Sequence, residues 1–252
     1  MPVLLEVTVD SVASAVAAEQ GGVHRIELCG SLEAGGITPS AGLIAMVRKR
    51  VAVPLHVLVR PRAGDFCYTA DEFEVMKRDV LLAKQLGAHG LALGILTSER
   101  RVDVPRTREL VELARPLSVT FHRAFDATAD LPAALEDVVS TRADRILTSG
   151  GAATAERGAA VIARLVALAA TRIIILACGH IREHNVVTLV SATGVKEVHA
   201  SLQTQAASDR AVEANSTSIV FTASRRVELL SATVERFLQA AEQVASGERR
   251  TQ

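Results

Sequence analysis

Five short aliphatic runs in this 252-residue chain end in side chains that can move protons, hold anions or ligate metals. RIELC (Arg25 to Cys29) ends in a thiol near a carboxylate, PLHVLVR (Pro54 to Arg60) in a guanidinium, and VTFHR (Val119 to Arg123) in an imidazole and a guanidinium. RILTSGG (Arg145 to Gly151) ends in hydroxyls and two glycines, and KEVHAS (Lys196 to Ser201) in an imidazole and a hydroxyl. Imidazole titrates near neutrality, so His122 and His199 are candidate general bases, with Glu27 or Asp126 to orient the ring and Arg123 beside them. Arg60, Arg62 and Arg123 offer the fork that grips phosphate or carboxylate. Backbone N–H groups of Ser149, Gly150 and Gly151, and of Gly179 in the later Cys178-Gly179-His180 turn, are candidate anion donors. Plainer readings stand beside these. The SGG turn can be a tight strand-to-helix connection, Arg62 and Asp65 can pair across their own loop, and Asp126 can be an N-cap or loop residue.

Metal chemistry has candidates too. Cu(I) prefers thiolate with imidazole as partner, and Cys29 and Cys67 fall at or just beyond the ends of neighbouring strands, with Cys178 farther round. The competing reading is three ordinary free thiols, because no CxxC, HxH or methionine-rich motif accompanies them. His56, His122 and His199 with Glu27 could ligate a hard or borderline ion, without HExxH spacing to support it.

These groups meet only if the fold gathers strand ends on one face. Hydrophobic patterning predicts strands at Leu4–Val9, His24–Cys29, Leu55–Arg60, Gly90–Leu96, Ser118–His122, Arg145–Thr148, Arg172–Ala177 and Glu197–Ala200. Between them it predicts helices from Asp10 or Ser11 to Gln20, then Ala41–Arg50, Asp71–Leu86, Arg106–Ala114, Leu131–Thr141, Ala155–Ala170 and Arg182–Ala192, with a last helix at Arg226–Ala245. Eight alternations in a chain of this length predict a (β/α)8 TIM barrel of eight parallel strands, one domain over residues 1–252. A longer excursion, 202–225, precedes the last helix, and SIVFTAS within it reads as a short strand, a lid or a subunit contact.

Alternation along each strand then divides the side chains. Leu5, Val7, Ile26, Leu28, Leu55, Val57, Val119, Phe121 and Val198 face the helices, leaving Glu6, Glu27, His56, Arg60, His122, Glu197 and His199 inside the barrel, with Ser201 in phase beyond. Buried charges persist only when paired, so a carboxylate, arginine and histidine network is expected there. Glu27, His122, Arg123, Asp126 and His199 form the candidate catalytic set. Glu6, His56, Arg60, Arg62, Asp65, Ser149, Gly150, Gly151, Gly179 and Ser201 form the candidate binding set, and Cys29 with Cys67 the candidate metal pair.

Composition narrows the partners. Acidic and basic residues balance at 28 each, leaving no field to recruit nucleic acid or an anionic membrane. The longest apolar stretch, Ala159 to Ala177, is interrupted by Arg164 and Arg172 and reads as helix then strand, not a membrane span. The N-terminus lacks the basic and apolar regions of a signal peptide, and three irregularly spaced cysteines suit a reducing compartment. The expectation is a cytoplasmic protein whose partner is a small molecule, a metal ion or another copy of itself, the alanine-rich helices one, six and eight offering a homo-oligomer surface.

Five segments in order, ELCGSLEAGGITPS (Glu27 to Ser40), RPRAGDFCYT (Arg60 to Thr69), VTFHRAFDA (Val119 to Ala127), LTSGG (Leu147 to Gly151) and EVHAS (Glu197 to Ser201), resemble the CutC family of copper homeostasis proteins. The resemblance runs from residue 3 to about residue 205. It implies a cytoplasmic TIM barrel, usually oligomeric, and an association with copper tolerance, hence copper as the expected cofactor and a role in copper homeostasis through Cu(I) binding. The chain departs from the pattern after strand seven. Cys178 and His180 stand where the family usually has glycine or alanine before an Ile/Val-Arg pair, here Ile181-Arg182, which narrows any anion cradle and adds a thiol and an imidazole. The residues also carry a second function, a TIM-barrel enzyme acting on a small anionic or phosphorylated metabolite by acid–base chemistry.

Overall fold

The computed structural model describes residues 3–202 and 230–242. Eight parallel strands close into a barrel in chain order: β1 (Leu4–Val9), β2 (Arg25–Leu28), β3 (Leu55–Leu58), β4 (Gly90–Leu93), β5 (Ser118–Phe121), β6 (Arg145–Thr148), β7 (Ile174–Ala177) and β8 (Glu197–Ala200), with β8 pairing back onto β1. The intervening helices are α1 (Val12–Gln20), α2 (Ala41–Arg50), α3 (Ala70–Gln85), α4 (Val104–Ala114), α5 (Leu131–Ser140), α6 (Ala159–Ala169) and α7 (Val186–Thr193). Residues 230–242 are helical as well. The expected excursion, with SIVFTAS, lies outside the described residues apart from Leu202, as do the ends of the expected last helix.

Local chemistry sets the helix starts. Ser11 and Ser14 cap α1 reciprocally, and Thr69 with Glu72 does the same for α3, in each case satisfying donors that the first turn leaves free. Asp103 and Asp130 accept from the third residue of α4 and α5, each of which carries a proline in its first turn.

The hydrogen-bonded strands stop short of several predicted ends. β2, β3, β4 and β5 finish at Leu28, Leu58, Leu93 and Phe121. The polar groups Cys29, Arg60 and His122 therefore lie one or two residues past the ladder, where diverging strands form the rim. The helices also begin later than expected, α6 at Ala159 and α7 at Val186, because turns occupy the residues after β6 and β7.

The predicted faces hold. Leu5, Val7, Ile26, Leu28, Val57, Val119, Phe121 and Val198 belong to the main core between sheet and helices. Inside the barrel the apolar content shrinks to two small groups, Cys29–Leu58–Ala92 and Leu147–Leu176–Cys178. The remaining interior is polar, with Glu6, Arg25, Glu27, His56, Thr120 and Glu197 all buried. β4 makes space for it. His56 lies level with Gly90, and a Cβ on Gly90 would come within 2.4 Å of His56 Nε2. The Gly90→Ala variant is therefore expected to lose about 1–3 kcal/mol of unfolding free energy by overpacking, read by urea denaturation. An unchanged midpoint would mean that the imidazole can move aside freely.

Candidate active site

Strand register builds the floor. Glu6 of β1 is level with Arg25 of β2 and with His199 of β8. Its carboxylate pairs with Arg25 Nε on one side and accepts from His199 Nδ1 at 2.7 Å on the other. Arg25 reaches onward to Glu197 at 2.7 Å, and Arg145 closes on the same Glu197 oxygen at 2.8 Å. Buried charges thus alternate in sign across the barrel, the arrangement that ionised groups need in a dry interior. His56 Nδ1 stands 3.6 Å from Glu6. Burial, followed by the opposing effects of Glu6 and Arg25, leaves its pKa at about 4, so it is neutral.

Two carboxyls meet at His199 with different fates. Burial works to raise the Glu6 pKa, but the His199 hydrogen bond and the Arg25 charge outweigh it and hold Glu6 well below the usual carboxylate range. Glu27 lies 3.9 Å from His199 Nε2, beyond hydrogen-bond length, and has no arginine of its own. Burial raises it, His199 only partly compensates, and the Glu6 charge adds to the rise, so it reaches about 6. Burial opposes charging of His199, yet Glu27 and Glu6 together lift its pKa above the ordinary value. The Thr8 hydroxyl lies 2.7 Å from His199 Nε2. Carboxyls driven apart in this way are the usual sign of an acid–base site.

Above this floor a cavity of about 840 Å³ opens toward the strand ends, bordered by Thr8, Glu27 and His199 below. Cys29, Leu58, Arg60, Phe66 and His122 line the side fed by β2, β3 and β5, and Arg123, Leu147, Cys178, Gly179, His180 and Arg182 the side fed by β5, β6 and β7. Ser201 also borders it. Burial and then the Arg60 charge press the His122 pKa down to about 3.

Several expected groups take other duties. The Arg60 guanidinium donates to the carbonyls of Gly35, Gly36 and Gly64 at 3.2, 2.9 and 2.8 Å, fastening the loops after β2 and β3, and it stacks on Phe66. Arg62 pairs with Asp65 at 2.9 Å and Glu72 at 2.6 Å, and neither Arg62 nor Asp65 borders the cavity. The plainer loop reading is the one realised. Asp126 does not orient His122. Its carboxylate accepts from Thr148 Oγ1 at 2.5 Å, Ser149 Oγ at 2.9 Å and the N–H groups of Ser149 and Gly151 at about 3.0 Å. Gly150 N–H turns to Thr148 Oγ1. The expected anion cradle after β6 is thereby filled by the protein's own carboxylate.

The turn after β7 differs. Gly179 and His180 have φ of +102° and +56°, and the N–H groups of Gly179, His180 and Ile181 have no acceptor among the described residues. Arg182 beside them has no carboxylate partner there either, and burial lowers its pKa. His180, Glu183 and His184 have a spacing that brings two imidazoles together only on a helix, and here the segment precedes α7 in turn conformation.

The thiols do not assemble a soft site. Cys29 and Cys178 border the cavity, with their pKa values driven up chiefly by burial. Cys67 lies outside it, its sulfur 3.2 Å from Thr97 O. Among the described residues, the group with metal-ligand spacing is Glu6, Glu27 and His199, an oxygen-rich set suited to harder ions than Cu(I). Arg25 already engages Glu6 and Thr8 engages His199, so this donor set does not fit copper.

Arg25 and Arg145 are floor residues absent from the inward set expected from sequence, and Thr8, in phase with Glu6, joins them there. Their signal was the same alternation, since Arg25 is in phase with Glu27, Arg145 with Ser149, and Thr8 with Glu6. Arg182 carried no sequence signal beyond its place after the turn.

An eight-stranded parallel barrel with a polar floor and a strand-end cavity defines a (β/α)8 protein. The chain belongs to the CutC family, whose model matches residues 3–204. A family protein CutC of Chromobacterium violaceum is 47% identical over 208 residues, covering 82% of this chain and 84% of its own length. One from Xanthomonas campestris pv. campestris is 49% identical over 197 residues, covering 78% and 82%. The crystal structure of a proposed copper homeostasis protein CutC from Streptococcus agalactiae superposes with a TM-score of 0.74 at 30% identity, over 78% of this chain and 97% of that one. None of the described helices is long and apolar enough to cross a membrane.

Two outcomes follow from the geometry. The folded protein holds the Glu27 proton more tightly than the unfolded chain, so raising the pH from 4.5 to about 6 removes stability through this group. The Glu27→Gln variant lacks that loss, and its unfolding free energy relative to the parent is expected to rise by about 2 kcal/mol between acid and neutral pH. A constant difference across the titration would contradict the raised pKa. The Asp126→Ala variant removes the acceptor shared by the four donors of Thr148, Ser149 and Gly151 and is expected to lose about 1–3 kcal/mol in the same unfolding measurement, whereas a neutral effect would mean that water replaces the carboxylate.

Proposed function

We propose that this chain is a (β/α)8 enzyme that performs acid–base chemistry on a small anionic metabolite, with a phosphate or carboxylate group held at the turn after β7. The observation that carries this reading is the split carboxyl pair. Glu27, with its pKa at about 6, is ionised at neutral pH yet basic enough to take a proton from a substrate and give it back. Glu6 stays ionised beneath and, with Glu27, favours the protonated form of His199 beside the lower end of the cavity.

The anionic end is provided for separately. Gly179 and His180 offer backbone N–H donors, with the Arg182 guanidinium on the same wall and that of Arg123, which also pairs with Asp126 at 3.1 Å, beside it. Phosphate sites in barrels of this class commonly lie after strands seven and eight. The half-buried Arg182 guanidinium donates to the Ile181 carbonyl at 2.8 Å and has no carboxylate partner among the described residues, so it is the side chain most altered when an anion arrives. A cytoplasmic homo-oligomer belongs to the same proposal, with Val161 and Leu168 of α6 exposed as apolar contact points.

Copper binding is the second reading, favoured by the family's copper association and by Cys29 on the cavity wall. Cu(I) there must displace a proton from a thiol that burial holds firmly protonated. Calorimetric titration with inorganic phosphate is expected to show saturable binding that weakens about tenfold or more in Arg182→Ala. Cu(I) affinity, measured against a competing chelator, is expected to be the same in the parent and in the Cys29→Ala, Cys67→Ala variant. Absence of phosphate binding together with a large thiol-dependent Cu(I) affinity would reverse the ranking of the two readings.

A further inference from the structure

His122 is a buried polar group that the acid–base reading leaves without a task. It is 4% exposed. Its Nδ1 accepts from the N–H of Ala124 at 3.2 Å, so the ring proton sits on Nε2. That Nε2 is buried and has no hydrogen-bond partner among the described residues. A buried N–H without an acceptor costs about 1–3 kcal/mol, and such groups are uncommon enough to require a reason.

The surroundings fix this ring in place. The Phe66 ring lies 5.0 Å away, centroid to centroid. A Cβ on Gly94 would fall 2.7 Å from Nδ1, so the absence of a side chain at position 94 is what admits the imidazole. The ring borders the cavity that also contains Glu27, His199 and Arg60. Burial and the Arg60 charge keep the imidazolium from forming at neutral pH. A ring that is held neutral and whose Nδ1 is already accepting cannot take up a substrate proton. What it can do is donate from Nε2, and Arg60 nearby favours an acceptor oxygen that carries or develops negative charge.

We propose that His122 donates its Nε2–H to a carbonyl oxygen of the ligand, so that the substrate class is a small anionic aldehyde or ketone. This rests on the proposed acid–base function and names its substrate chemistry. The step balances without a further reactant. The carboxylate of Glu27 takes the proton from the carbon next to the carbonyl, and the C–H electron pair becomes the C=C bond of an enolate. The carbonyl π pair moves onto the oxygen, where the His122 hydrogen bond strengthens as charge develops. Reversal returns the proton from the Glu27 carboxyl to the same carbon and restores the carbonyl.

Nitrogen-15 NMR of the imidazoles in the full chain tests the ring itself. The expected result is the Nε2–H tautomer of His122 with no titration between about pH 5 and 8. The opposite tautomer, or a midpoint in that range, overturns the proposal. Two probes test the ligand class, dihydroxyacetone phosphate and glycerol 3-phosphate, which share a phosphate and differ in carbonyl against alcohol. The carbonyl probe is expected to bind about fivefold more tightly or better and to move the His122 Nε2 resonance. That preference is expected to vanish in His122→Phe and to return in part in His122→Gln, which keeps an N–H donor. Equal binding of both probes overturns the carbonyl assignment and leaves the anion reading intact. Failure of both to bind overturns the anion reading and this inference with it. If the His122→Phe chain does not fold, the tautomer and the two-probe comparison on the parent protein decide.

Discussion

A carboxylate at the centre of a closed barrel must be matched by charge and hydrogen bonds, because an ionised group in a dry interior costs several kcal/mol when left alone. Glu6, 2% exposed, is that group. Its two main partners arrive from the strands on either side, Arg25 from β2 and His199 from β8. The remaining charges follow from this demand. Arg25 has capacity beyond Glu6 and takes Glu197, which in turn draws in Arg145. Glu27 receives no arginine among the described residues, and burial raises its pKa with only partial compensation from His199. The division between the two carboxyls thus follows from burial together with the placement of the cations beside Glu6.

Space and charge are arranged together. Gly90 and Ala92 on the inner face of β4 are followed in phase by Gly94 just beyond its end, and the two glycines admit His56 and His122. Higher up, the charges that might have met a ligand are largely turned to holding loops. Arg60 ties down three carbonyls, and Asp126 closes the donors after β6. With those fastened, N–H donors without an acceptor and an arginine without a carboxylate partner, among the described residues, are left together at the turn after β7. The cavity therefore has ionisable Glu27 and His199 below and the turn after β7 above, with apolar side chains such as Leu58 and Leu147 also lining it.

Much of this architecture is legible in the sequence, because the period-two alternation and the regular return of strands depend on local patterning that tertiary contacts do not override. The inward placement of Glu6, Glu27, His56, Glu197 and His199 follows from phase alone. The same rule reaches Thr8, in phase with Glu6, and also Arg25 and Arg145, which open β2 and β6 and so stand far from the strand ends that gather polar groups. Partner choice is a different matter. Ser149, Gly150 and Gly151 look like an anion cradle until Asp126, more than twenty residues earlier in the chain, is seen to occupy it. Arg62 and Asp65 were equally plausible as ligand contacts or as a loop clamp, and only geometry separates the two. The pairing of Cys29 with Cys67 needed a distance that strand order alone cannot supply, since Cys67 lies on a loop that turns outward to Thr97. Which strand a residue follows is written locally, but which neighbour it bonds depends on the closed barrel.

The unequal treatment of the two buried carboxyls is the centre of this account, and carbon-13 NMR of the glutamate side-chain carboxyls across pH reads it directly. One resonance, absent from the Glu27→Gln protein, should titrate with a midpoint near 6, as its burial requires. The Glu6 resonance should remain that of a carboxylate to the lowest pH at which the fold survives. Ordinary, similar midpoints for both groups would show that the floor does not divide them, and the acid–base reading would fall.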